Sequence, residues 1–183
     1  MKPEYDFSEV SINSERLILR PLSFDYVEDI FKEFNENVTR YLERGPNKNI
    51  DAVNDFISKD IQASKNGNKV NFVILDRNNE FIGLSDLQKT DTRSPEFGLW
   101  VKESAWGQGF GSELIFAMAE WAQDNLDFDY LTYRADPENP GSWKIAEKLV
   151  KVYGGQYIGE KLETIMGKKR LSKCYQIAPR KEK

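Results

Sequence analysis

A strand-like run, Glu96, Phe97, Gly98, Leu99, Trp100 and Val101, passes through a short polar link into Trp106, Gly107, Gln108, Gly109, Phe110, Gly111 and Ser112, and then into an amphipathic helix. Three glycines at alternate positions let successive backbone N–H groups turn toward one point, and the helix behind them adds the positive end of its dipole. The junction is a phosphate cradle, and a pyrophosphate is its natural ligand. Two common phosphate loops fail on residues. A P-loop needs a Lys beside its last glycine, and none stands here; a dinucleotide fingerprint needs Gly-x-Gly-x-x-Gly, but Ser112 falls three after Gly109 and Leu114 three after Gly111.

The stretch resembles the pyrophosphate loop of the GNAT superfamily of N-acetyltransferases, Arg/Gln-x-x-Gly-x-Gly/Ala, with Gly109 and Gly111 as its glycines. Trp106 occupies the Arg/Gln position, as a packing residue rather than a ligand. A Trp-Gly-x-Gly-Phe/Tyr loop is similar to the branch named for the ribosomal-protein acetyltransferases RimJ and RimL. Residues 14–22 look like that branch's first strand, 71–83 like its second and third, and Asn139, Pro140, Gly141 and Ser142 like its Asn-x-x-Ser helix start. The resemblance spans residues 14–178 and is silent on substrate.

Histidine is absent, so neither a Ser-His-Asp triad nor a Cys-His pair can be built, and zinc lacks its usual ligands. Without an Asp-x-Asp or calcium-loop pattern, no metal is expected. Against 30 acidic residues stand 26 basic ones, which argues against nucleic acid as a partner. Residues 25–60 hold nine acids against five bases, a solvated face or a surface that attracts an amine. The charged first ten residues and the lack of a ~20-residue apolar run predict no membrane association. One cysteine, Cys174, fits a reducing compartment, so a cytoplasmic location is expected, with Cys174 as buried packing on the last strand.

With 39% hydrophobic residues, the 183-residue chain can fill one core, so residues 1–183 are read as a single domain with 1–13 and 179–183 as flexible ends. Periodicity predicts strands at 15–22, 70–76, 80–88, 95–102, 130–135, 156–163 and 173–178. Helices are predicted at 24–36 behind Ser23, from a cap at Asp51 to Ser64, after the glycine loop, and from Asn139 to Val150. The order βααβββαβαββ implies an α/β or α+β sandwich. The resemblance makes this a GNAT-like mixed, mostly antiparallel sheet flanked by helices.

The resemblance also implies a mechanism. Acetyl-CoA lies where the strand before the loop and the strand after the loop's helix splay apart. Backbone groups of Trp100 and Val101 bond the pantetheine, and N–H groups of Gly107, Gln108, Gly109, Phe110, Gly111 and Ser112 bind the pyrophosphate. Asn139 and Ser142 meet the pantetheine arm, although Asn139 is equally a helix cap, and Gly98 equally a bulge. An alkylamine (about 10.4 for Lys) must lose its proton before attack. Glu96 is the first candidate base, with Glu103 and Asp86 behind it, and Val101 N–H is the oxyanion donor. Many members place a Tyr acid seven residues after Asn139; here Ala146 stands there, and Ser142 is the substitute.

The implied reaction is direct acetyl transfer to a primary amine, a protein N-terminus or a small molecule, by a monomer or homodimer. Residues 40–51 and 160–170 would choose the acceptor. Ala146 keeps a second reading open, a non-catalytic acyl-CoA-binding or regulatory domain.

Overall fold

The computed structural model describes residues 5–165 and 168–180. Strands β1 (Ile12–Asn13) and β2 (Leu17–Pro21) lead into helices α1 (Val27–Glu33), α2 (Glu36–Thr39) and α3 (Ile50–Lys65). A meander follows: β3 (Lys69–Asp76), β4 (Phe81–Gln88) and β5 (Glu96–Val101). Then come α4 (Phe110–Asn125), β6 (Leu131–Ala135), α5 (Pro140–Tyr153), β7 (Gly155–Ile165) and β8 (Lys168–Ile177). All strands join one sheet in the order β1-β2-β3-β4-β5-β6-β8-β7. Neighbours are antiparallel except β5 and β6, which are parallel and share one register pair, Glu96 with Thr132.

Period-two alternation sends apolar residues to both faces of the sheet. On one face, Leu17, Leu19, Phe72 and Leu131 pack against Leu114, Ile115 and Met118 of α4 and Ala146 and Leu149 of α5. On the other, Val73, Leu75 and Leu84 meet Ile30 of α1 and Val53 and Ile57 of α3. Truncating such a fully buried leucine to alanine, a loss of three carbons, costs roughly 2–5 kcal/mol. The second helical layer covers the first half of the sheet only. Over β5, β6 and β7 the same face carries the charged side chains Glu96, Arg134 and Glu163, and there a cleft opens.

Local capping explains where the elements depart from expectation. The helix expected over 24–36 is a 3-10 turn at Phe24–Tyr26 followed by α1, and it breaks because Asn35 accepts from the N–H groups of Asn37 and Val38 at 3.0 and 3.1 Å, starting α2. Ser23 bonds the Asp25 carboxylate instead of capping backbone. For α3 the cap is Asn49, accepting from Ala52 N–H at 2.9 Å, two residues before the expected Asp51. The last two strands form a longer hairpin than their alternation suggested, with a bulge between Tyr157 and Gly159.

The segment read as a free N-terminal end packs from Phe7 onward. Phe7 is buried with its ring edge-on to Trp121 at 5.8 Å, its N–H bonds Ser64 O at 3.0 Å, and Ile12–Asn13 pairs with β2. The expectation for residues 1–4 and 181–183 lies outside the described residues. Among those described, no helix is long and apolar enough to cross a membrane.

Candidate active site

The parallel pair β5 and β6 separates after its single register pair, and a cleft of about 880 Å³ occupies the space, lined by residues 96–101 on one side and 134–136 on the other. Which backbone groups face it follows from the register. Lys102 N–H bonds Ile82 O at 2.8 Å, so the hydrogen-bonded pairs of β4 and β5 are those in step with it, including Leu84 with Trp100. Leu99 and Val101 belong to the alternate set and turn their N–H and C=O toward β6. This corrects the expected pair. Trp100 spends its backbone on Leu84, and Leu99 is the residue missed, because parity depends on a register that β5 alone does not reveal.

Trp100 contributes its side chain instead, packed against Phe34 at 5.1 Å and Phe81 at 5.8 Å as a wall of the cleft. Trp106 is half exposed rather than packed, and its indole N–H donates to Val101 O at 2.7 Å. The Val101 carbonyl is therefore engaged, which leaves Val101 N–H and both backbone groups of Leu99 facing the gap.

After β5 two of the three glycines take the left-handed turn and Gly111 lies in the first turn of α4. Gly107 and Gly109 have φ of 74° and 81°, a region that L side chains enter only with strain, and Gly109 is the N-cap of α4. The helical ladder begins at Glu113 N–H to Gly109 O, 3.1 Å, so the preceding N–H groups of Phe110, Gly111 and Ser112 precede it and are available to an anion. Among the glycine-loop residues, Gly107, Gly109, Phe110, Gly111 and Ser112 line the cleft.

Arg16, immediately before β2, braces this loop. Its guanidinium donates to Gln108 O at 2.9 Å and to Glu113 at 2.7 Å, and it lies over the Phe110 ring at 4.7 Å. Burial pushes the Glu113 carboxyl up, and bonds from Ser14 Oγ, Arg16 N–H and the guanidinium outweigh it, so the group sits below its ordinary value. The separation of 97 residues between Arg16 and Glu113 hid this contact from the sequence.

From the opposite side, α5 presents its first turn. Asn139 accepts from Ser142 N–H at 3.2 Å, so it is the helix cap, and Pro140 follows at the first helical position. Asn139 and Ser142 both line the cleft, and the Ser142 hydroxyl lies 3.1 Å from the Tyr133 hydroxyl. Ala146 is fully buried in the core.

The charged face holds the acid–base candidates. Glu96 is buried rather than exposed at a strand end, and its two oxygens accept from Arg134 Nε and, at 2.8 Å, from Lys89 Nζ. Arg134 also reaches Glu163 at 2.7 Å and Glu43 at 3.5 Å, tying β6 to β7 and to the loop after α2. Asp86 lines the cleft, paired with Lys69 at 3.0 Å, and Lys69 pairs with Asp60 at 2.7 Å. Burial raises the Asp60 pKa against the pull of Lys69.

Gly98 is no bulge: it pairs in register with Asp86, whose Oδ1 would lie 2.4 Å from any Cβ there. Glu103 is not brought to the lining; both its oxygens accept from Asn37 Nδ2, at 3.1 and 3.0 Å. Of the segments expected to choose the acceptor, Tyr41, Leu42, Glu43 and Arg44 line the cleft, and residues 166–167 lie outside the described residues. Cys174 is buried at 2% exposure, with burial pushing its thiol up.

Comparisons with known proteins agree with this geometry. The chain is 24% identical over 143 residues, 76% of its length and 80% of the relative's, to the uncharacterized N-acetyltransferase p20 of Bacillus licheniformis. Its fold is similar to that of the acetyl transferase from Salmonella typhimurium that modifies the N-terminal serine of ribosomal protein L7/L12. That structure has a TM-score of 0.78 and 18% identity, covering 92% of this chain and 99% of the other. It is also similar to spermidine N-acetyltransferase from Vibrio cholerae in complex with CoA and spermine, with a TM-score of 0.74 and 24% identity, covering 89% and 95%. The model of the acetyltransferase (GNAT) domain matches residues 16–149. That match takes in β2 through the glycine loop to α5, and the chain belongs to the GNAT family of N-acetyltransferases, with acetyl-CoA as co-substrate.

Proposed function

We propose that this single-domain protein transfers the acetyl group of acetyl-CoA directly to a primary amine, either a protein N-terminus or a small-molecule amine, within a ternary complex. The observation that carries the reading is the β5–β6 gap ending on the glycine cradle, a strand-shaped slot with free backbone groups at one end and an anion site at the other. The pantetheine adds to Leu99 and Val101 as a short strand would. The pyrophosphate takes the N–H groups of residues 107–112, with Arg16 close behind them.

The acceptor enters over the charged face. Glu96 takes the ammonium proton, through water where distance requires, while Arg134 and Lys89 hold its carboxylate in place. Nitrogen attacks the thioester carbon, the carbonyl π pair moves onto oxygen, and Val101 N–H meets that oxyanion, a contribution of ~3 kcal/mol in comparable sites. Collapse breaks the C–S bond, its electron pair goes to sulfur, Ser142 donates a hydrogen bond to the thiolate, and the newly bonded nitrogen gives up its second proton to water, leaving a neutral amide. No acyl-enzyme forms; the loop at 106–111 is RimJ/RimL-like, and a single free thiol accords with a cytoplasmic site of action.

Thiol release from acetyl-CoA over a panel of peptide N-termini, polyamines and amino sugars tests the reading. Turnover with at least one amine, lost in Glu96→Gln with acetyl-CoA binding kept, is expected. The engagement of both Glu96 oxygens and the alanine at position 146 favour the second reading, a non-catalytic acyl-CoA-binding domain; binding without turnover on any amine would select it.

A further inference from the structure

Ser142 reaches the cleft from the first turn of α5, and behind it stands Tyr133, a residue of β6. Tyr133 is 1% exposed, with its ring 6.0 Å from that of Phe97. The hydrogens of the pair follow from what each hydroxyl can reach. Each has one hydrogen to donate and lone pairs to accept with. Ser142 lines the cleft and can send its hydrogen there. The Tyr133 hydroxyl is enclosed by the core with Ser142 Oγ at 3.1 Å as its partner, and an enclosed O–H that donates to nothing is destabilising. Burial pushes the phenol up to about 12, so it keeps its proton at neutral pH. Tyr133 therefore donates and Ser142 accepts, which leaves the Ser142 hydrogen directed into the cleft.

Resting on the acetyl-transfer reading, we propose that Tyr133 is a positioning residue whose buried phenol fixes the Ser142 hydroxyl as hydrogen-bond donor to the departing thiolate. The phenol keeps its proton throughout. The pair from the broken C–S bond goes to sulfur and is met by the Ser142 hydrogen, and the thiol is completed by a proton from water. Ala146, one turn further along α5, has no hydroxyl, so the donor is set from the neighbouring strand rather than from the helix.

The test is a double-mutant cycle with the best amine of the panel. Tyr133→Phe keeps the ring and removes the hydroxyl; with a wild-type thermal shift on adding acetyl-CoA, it is expected to lower kcat about tenfold while Kd for acetyl-CoA changes by less than about twofold. Ser142→Ala should fall by a similar factor, and the double variant should be no slower than Ser142→Ala, because the phenol acts only through the serine. Wild-type kcat in Tyr133→Phe, or losses that multiply in the double variant, would overturn the proposal while leaving the acetyl-transfer reading intact. An inactive wild type overturns both.

Discussion

The two sides of the cleft are built from different material. The proposed cofactor side is backbone: the β6-facing edge of β5, three glycines and the first turns of α4 and α5, nearly all within one run of sequence from Glu96 to Ser112. The proposed acceptor side is side chains: Glu96, Arg134, Glu163 and Glu43 from four separate segments, with Asp86, Lys69 and Asp60 beside them. Backbone donors recognise a fixed ligand whatever side chains surround them, whereas a charge network can be rewritten residue by residue. The contrast explains how one family scaffold keeps its cofactor while changing its amine, since function follows the site and not the fold.

The sharpest way to break this comparison is to change one side and look for an effect on the other. Glu96→Gln should lower kcat by about a hundredfold or more and leave acetyl-CoA affinity unchanged, as read by steady-state kinetics beside calorimetry. A parallel loss of cofactor affinity would mean that the two sides are coupled. Gly109→Val does the converse. A β-branched residue at φ 81° strains the cap of α4, so Kd for CoA should rise by about tenfold or more, with the amine KM untouched.

A smaller effect belongs to the brace on the loop. Glu113 is depressed below its ordinary value of 4.5 by Ser14 and Arg16 against the push of burial, so its stabilisation is complete above that value and is lost as pH falls through its folded pKa. Urea unfolding should show wild type more stable than Glu113→Gln at pH 7, with the gap closing toward pH 3. Smallest of all, Cys174→Ala should keep kcat within about twofold, because the buried thiol takes no part in direct transfer; loss of turnover with binding intact would point to a covalent intermediate.

What the sequence disclosed divides along the same line. The glycine loop, the strand before it and the caps at Asn139 and Pro140 are contiguous, and their chemistry is local, so spacing revealed them. The family resemblance extended that to the gap. Two features depended on pairing across the sheet, the parity that selects Leu99 over Trp100 and the carboxylate of Asp86 lying over Gly98, and a third, the contact of Tyr133 with Ser142, on how α5 packs against β6. Glu96 was legible as a residue but not as the centre of an ion-pair network, since its partner Arg134 lies 38 positions away. The indole of Trp106 on Val101 O spans only five residues and is the one contact that local reading missed without that excuse.

The central claim is that the β5–β6 gap and the glycine cradle hold the cofactor, and calorimetric titration with acetyl-CoA, CoA and ATP tests it most directly. Saturable binding of both CoA species, with ATP much weaker and the heat lost in Gly109→Val, is the predicted result. ATP binding more tightly than CoA, or CoA affinity indifferent to Gly109→Val, would contradict it.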